Sequence, residues 1–150
     1  MKKWLNIILI IVLALVTSGY QSNNYPNKGT LFIQLKNIRK ADGIIYIFIY
    51  NYENQYPRKP LTYYSVKKDK IQNGCLKVSI DNVAYKQNYA ISLIDDENNN
   101  EDLDRIMGIP TEGFGFSNNV KPMFAMPDYK ELLFSFTHEK TINIDLQYFL

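Results

Sequence analysis

The sequence predicts an all-β domain, an antiparallel β-sandwich of about seven strands. Three observations lead there. From Thr30 onward, apolar and polar residues alternate with a period of two in one short run after another. Turn-forming Gly, Pro and Asn residues stand between the runs. No segment carries a sustained helical period beyond a single turn at "PDYKELL".

Two segments precede the domain. "MKKW" is a basic start, "LNIILIIVLALV" (Leu5 to Val16) is an apolar core, and "TSGY" supplies small residues. This is the layout of a secretory signal peptide over residues 1–19, with cleavage expected after Gly19. An uncleaved N-terminal anchor is the alternative. A lipid anchor would need a cysteine where Tyr20 stands. Residues 20–29, polar with one Pro and one Gly, read as a flexible tether, and 30–150 as the domain. An exported protein, periplasmic or extracellular, is implied, touching membrane only through the signal segment.

The strands follow in order. "TLFIQLKN" puts Leu31, Ile33 and Leu35 on one face, and "ADG" turns the chain. "IIYIFIYN", apolar on both faces and rich in β-branched residues, reads as a central strand. Pro57 and Pro60 break the pattern, since neither can donate to a ladder. "TYYSVKK" is a short strand, and Asn73-Gly74 is a turn. "CLKVSI" and "NYAISLI" come next, the second with Tyr89, Ile91 and Leu93 inward. The long section "RIMGIPTEGFGFSNNVKPMFAMPDYK" is too rich in Pro and Gly for regular structure. "ELLFSFT" and "TINIDLQY" then read as a final hairpin around "HEK". The expected core includes Leu35, Ile47, Val78, Leu93, Phe134, Ile144 and Leu146.

Charge and cysteine content exclude several functions. The net charge is +2, and loss of Lys2 and Lys3 would leave fifteen basic against fifteen acidic side chains. Such a balance exerts no long-range pull on nucleic acid. Cys75 is the only cysteine, so no internal disulfide can form. It reads as a small half-buried strand residue. His138 is the only histidine and lies in a turn, so His-dependent metal sites and triads have no material.

The acidic stretch "DDENNNEDLD" is the main candidate site. It holds six carboxylates, Asp95, Asp96, Glu97, Glu101, Asp102 and Asp104, of fifteen in the chain. Asp96, Asn98 and Asn100 take positions one, three and five of an Asp-x-Asn-x-Asn calcium loop. The Asp102 carbonyl and the Asp104 side chain would follow, and Glu112 would close the shell from the next turn. Calcium wants six to eight hard oxygens, and dense negative charge favours a cation. The alternative is a solvated loop, partly balanced by Arg105. "EGFGFSNN" is the second candidate. Its Phe114 and Phe116 are either a ligand-stacking platform or a plug for one end of the sandwich, and Ser117 lacks a base.

The strings "YAISLIDDENNNEDLD" and "GIPTEGFGFSNN" resemble the bacterial DUF2141 family. Its members carry an acidic Asp-Glu-Asn-Gly-Asn-Gly loop followed by Gly-Ile-Pro-x-Glu-Gly-x-Gly-Phe-Ser-Asn-Asn. The resemblance runs from about Leu31 to Tyr148 and implies an exported sandwich of the transthyretin-like or prealbumin-like type. It implies no activity. The family's two loop glycines are Asn99 and Glu101 here. The expected function is therefore a non-catalytic binding or structural module with a calcium-holding acidic loop, recognising an envelope protein or glycan. The alternatives are a carbohydrate-binding module and an envelope hydrolase using loop carboxylates.

Overall fold

The computed structural model describes residues 27–122 and 125–150. The expected signal segment and most of the expected tether lie outside those residues. Ten strands form, several of them only two to four residues long. β1 (Lys28–Lys36) begins inside the span assigned to the tether. β2 (Ile44–Tyr50), β3 (Thr62–Lys67), β4 (Leu76–Ala84) and β5 (Gln87–Asp96) follow. β6 (Arg105–Ile106) and β7 (Ile109–Pro110) form a small ribbon. β8 (Gly113–Phe116), α1 (Tyr129–Leu132), β9 (Phe134–Phe136) and β10 (Lys140–Asp145) complete the domain.

Two sheets pack face to face. The smaller has strand order β10-β1-β4, and the larger β3-β2-β5-β8, with β9 also paired to β5. Leu31, Ile33, Leu35, Ile80 and Ile144 from the first sheet meet Ile45, Ile47, Ile49, Ile91 and Leu93 from the second in one core. The period-two alternation is the cause: each sheet turns one face inward and buries it. All the expected core residues are buried except Val78, which is half-buried and packs against the cluster.

The last two strands correct the sequence reading. They are no hairpin: β9 pairs antiparallel with β5, while β10 crosses to the other sheet and pairs with β1. That β1–β10 pairing is parallel, whereas every other named pair is antiparallel. Alternation reveals which face is buried but not which strand lies alongside, and both strands can bury an apolar face from opposite sheets. Likewise, Asn73-Gly74 makes a tight two-residue turn that closes only Gln72 onto Cys75, with left-handed φ of 50° and 70°. β3 and β4 lie in different sheets.

"GFGF" in β8 sorts itself by size. Gly113 and Gly115 point inward: a Cβ on Gly113 would meet the Tyr148 ring at 2.5 Å, and one on Gly115 would meet Ile144 at 2.9 Å. The glycines thus let the two layers approach. Phe114 and Phe116 point to the outer face of the large sheet. There they form a second cluster with Tyr50, Ala90, Tyr129 and Leu132. The helical turn α1 lies over this cluster and is closed at its start by the Asp128 N–H donating to Glu131 at 2.8 Å.

Candidate functional site

β5 runs straight from the core into the acidic stretch, so the first carboxylates are not in solvent. Asp95 and Asp96 are fully buried and Glu112 nearly so. Each finds protein donors. Asp96 Oδ1 accepts the Asn100 N–H at 3.2 Å, and its Oδ2 accepts the Glu101 N–H at 2.9 Å. Glu112 ties the two ends of the loop together. Its Oε1 accepts the Glu97 N–H at 2.8 Å and its Oε2 the Asp104 N–H at 3.1 Å.

The remaining expected ligands meet as well. Asn98 and Asn100 each donate a side-chain amide to one oxygen of Asp104, at 2.7 and 2.8 Å. Their own carbonyl oxygens accept the N–H of Asn100 and Asp102, both at 3.0 Å. Asp102 stands at the surface, where its carboxylate accepts the Leu103 N–H at 2.7 Å. Asp96, Asn98, Asn100, Asp104 and Glu112 are thus brought into one hydrogen-bonded knot. Among the described residues, no group of three or more His, Cys, Asp or Glu side chains is spaced to hold a metal ion.

The loop turns sharply through two left-handed residues, Asn99 (φ 62°) and Glu101 (φ 64°). These are the two positions where the resemblance expects glycine. Asn tolerates this conformation, whereas Glu there costs on the order of 1 kcal/mol. The Asp96–Glu101 hydrogen bond holds the strained residue in place. Close by, Gly43 (φ 92°) lies so near Asp96 that a Cβ would meet its carbonyl oxygen at 2.0 Å. The "ADG" turn is thereby locked against the start of the loop.

Charge is balanced by residues far away in sequence. Arg39 pairs with Glu97 at 2.6 Å and Lys40 with the same carboxylate at 2.7 Å. Burial pushes the Glu97 carboxyl up, but these two hydrogen-bonding cations outweigh it and hold it below its ordinary value. The hydrogen bond to Glu97 raises the Arg39 guanidinium in turn. Lys68 pairs with Asp95 inside the protein. Arg105, expected to balance the loop, instead donates to the Leu103 carbonyl at 2.9 Å. The protein thus supplies much of the compensation that negative repulsion would otherwise ask of an ion. In the sequence, "IRK" before the "ADG" turn is the one signal for Arg39 and Lys40, and none singles out Lys68.

"SNN" is a clip. Ser117 Oγ donates to the Leu132 carbonyl at 2.6 Å and accepts the Ile91 N–H at 3.0 Å. Asn118 donates to the carbonyls of Glu131 and Leu133 at 2.8 and 3.0 Å. Asn119 accepts the Asp145 N–H at 2.8 Å. Left-handed φ values of 61° and 54° aim the two asparagines, so this short string staples α1, β5 and β10 together.

Beyond the loop, the chain passes over the outer face of the large sheet. A groove of about 830 Å³ opens there, floored by Phe48, Ile94, Phe114 and Phe116. Its rim carries Met107, Ile109, Met126, Phe149 and Leu150, all exposed, with Met107 98 % so. Arg58 and Arg105 also line it, and neither pairs with a carboxylate among the described residues.

A family model for DUF2141, an uncharacterized protein conserved in bacteria, matches residues 33–144. The chain belongs to the DUF2141 family. The match takes in both sheets, the acidic loop, the groove floor and the "SNN" clip. No curated protein and no solved structure matches the chain.

Proposed function

We propose that this DUF2141 chain is a non-catalytic, exported binding module of the cell envelope that takes its ligand in the groove on the outer face of the large sheet. One observation carries this reading: five large apolar side chains stand exposed around a single groove. Exposed apolar residues gathered in one place mark an interaction surface far better than the same residues scattered. The lining also favours one ligand chemistry. An apolar floor and rim with two arginines that pair with no carboxylate among the described residues suit a molecule with a hydrocarbon or aromatic body and one anionic group. Burial of Phe114 and Phe116 speaks against a flat strip for stacking sugars, and among the described residues no carboxylate side chain lines the groove to serve a hydrolase.

The test compares dodecanoate with dodecylammonium by calorimetric titration, with maltohexaose as the glycan arm. Dodecanoate should bind, and Arg58→Ala with Arg105→Ala should weaken it at least tenfold. Equal binding of both amphiphiles, or binding of the sugar alone, would refute the ligand class.

The acidic loop supports a second reading, a weak calcium site that stiffens the groove's neighbour. The observation favouring it is the convergence of Asp96, Asn98, Asn100, Asp104 and Glu112 within one turn of chain. The cost is also visible. Both asparagines spend their amides on Asp104 and their carbonyl oxygens on backbone N–H groups, so an ion must displace some of these bonds. Extracellular calcium modules bind at about 0.1–1 mM, and at about 1 mM calcium such a site stabilises the fold by about 0.4–1.4 kcal/mol. Millimolar calcium should therefore raise the melting temperature, and Asp96→Ala should abolish the rise. An unmoved wild-type curve would end the calcium proposal.

A further inference from the structure

Asp95 continues the inward alternation of Tyr89, Ile91 and Leu93 on β5, so its carboxylate points into the end of the core. Lys68 follows β3 directly and reaches the same place. Both side chains have no solvent exposure at all. The Lys68 ammonium donates to Asp95 Oδ1, and the Tyr148 hydroxyl donates to Asp95 Oδ2 at 2.7 Å. Tyr148 is itself fixed: its oxygen accepts the Arg39 N–H at 3.3 Å, and the Arg39 guanidinium lies 4.4 Å from the ring centre.

As an ion pair this arrangement is poorly satisfied. A buried ammonium carries three donors, and Asp95 is the one acceptor that the Lys68 side chain finds among the described residues. Two buried charges with few partners carry a large desolvation penalty. A secondary amide in the same place needs only one acceptor for its N–H, and its carbonyl oxygen would keep the Tyr148 donor.

We propose that Lys68 and Asp95 condense to an intramolecular isopeptide bond, with Tyr148 as the group that polarises the carboxyl. One ammonium proton passes to Oδ1, leaving an amine facing a carboxylic acid. Nζ then attacks Cγ while the Tyr148 hydroxyl holds the charge that develops on Oδ2. Oδ1 takes a second proton from nitrogen and leaves as water. One C–N bond forms and one C–O bond breaks. Ammonium plus carboxylate becomes amide plus water, with no oxidant and no cofactor. Burial holds the reacting groups together and gives the departing water a reason not to return. Burial and the Asp95 carboxylate both raise the Tyr148 phenol above its ordinary range, so it keeps its proton throughout. The bond would tie the end of β3 to the end of β5 across 27 residues in a chain with a single cysteine.

The experiment is mass spectrometry of the purified full chain. Its intact mass should be lower by one water than its sequence requires. A tryptic digest should contain a branched peptide joining the Lys68 and Asp95 segments, uncleaved after Lys68. Lys68→Met, which keeps the length of the side chain without the amine, should restore the full mass and yield linear peptides. Tyr148→Phe should leave a mixture of joined and unjoined chains, with joining at least tenfold slower. A wild-type digest that cleaves after Lys68 and returns only linear peptides would overturn the proposal, whatever the variants do. Joining at the wild-type rate in Tyr148→Phe would overturn the role given to Tyr148.

Discussion

The acidic loop and the groove meet at Leu103, yet they are opposites. The loop is polar and closed on itself. Nearly every oxygen of Asp96, Glu112 and Asp104 is engaged by an N–H drawn from within the same turn of chain. The groove is apolar and open, with methionine and phenylalanine side chains facing water. A closed hydrogen-bond network defines shape, and an open apolar surface has free energy left to give to a partner. The loop, which looks like the site in the sequence, is thus hydrogen-bonded as a frame, while the plainer residues beside it stand open to solvent.

The largest expected effect comes from breaking the frame. Glu112→Ala would leave the N–H groups of Glu97 and Asp104 without acceptors, at about 1–3 kcal/mol for each orphaned group. Thermal unfolding should register a drop of many degrees, together with weaker ligand binding as the groove's neighbour loosens. A drop below 1 kcal/mol would mean that the loop does not need its clamp. A smaller effect of opposite sign should follow from Glu101→Gly. Relief of the left-handed strain should stabilise the protein by about 1 kcal/mol, measured by denaturant midpoint at unchanged slope.

Acid sharpens the comparison further. The Glu97 carboxyl is depressed in the folded state, so its pairing with Arg39 and Lys40 stabilises the protein at neutral pH. That contribution is present above the unfolded carboxyl's value, about 4, and is lost as pH falls through the lower folded value. Wild type and Glu97→Gln should therefore differ in stability at pH 7 and converge below pH about 4. Parallel curves throughout would show that the ion pairs contribute nothing. The smallest effect belongs to the groove rim. Met107→Ser should change stability by no more than about 0.5 kcal/mol, because the side chain is exposed. It should nonetheless weaken dodecanoate binding severalfold, which separates contact surface from frame.

What the sequence disclosed follows from what alternation encodes. Leu31, Ile33 and Leu35, or Tyr89, Ile91 and Leu93, announce a buried face because period two leaves no other reading. The convergence of Asp96, Asn98, Asn100 and Asp104 was legible for the same reason, since alternate residues on a curling chain point to one centre. Long-range partners are a different matter. Nothing near Glu97 hints that Arg39 and Lys40 will neutralise it, and nothing near Asp95 hints at Lys68. These pairs span 58, 57 and 27 residues, and Lys68 reaches Asp95 only because β3 and β5 flank β2 in one sheet. The phenylalanines of "GFGF" pointed to a site, but only the inward glycines reveal that the Phe side faces away from the main core.

The parallel pairing of β10 with β1 has a consequence in time. β1, the first of the described strands, lies between β4 and β10, the last of them, and its Leu35 sits opposite Ile144. Until the final residues exist, β1 has one edge with no neighbour, and the core lacks the side chains of Ile144 and Leu146. Contacts of such long sequence separation carry a heavy loop-closure penalty before they return any energy. The described domain therefore cannot complete its core until β10 has been made. The export proposed above would gain from that delay, because a polypeptide that folds late stays translocatable for longer.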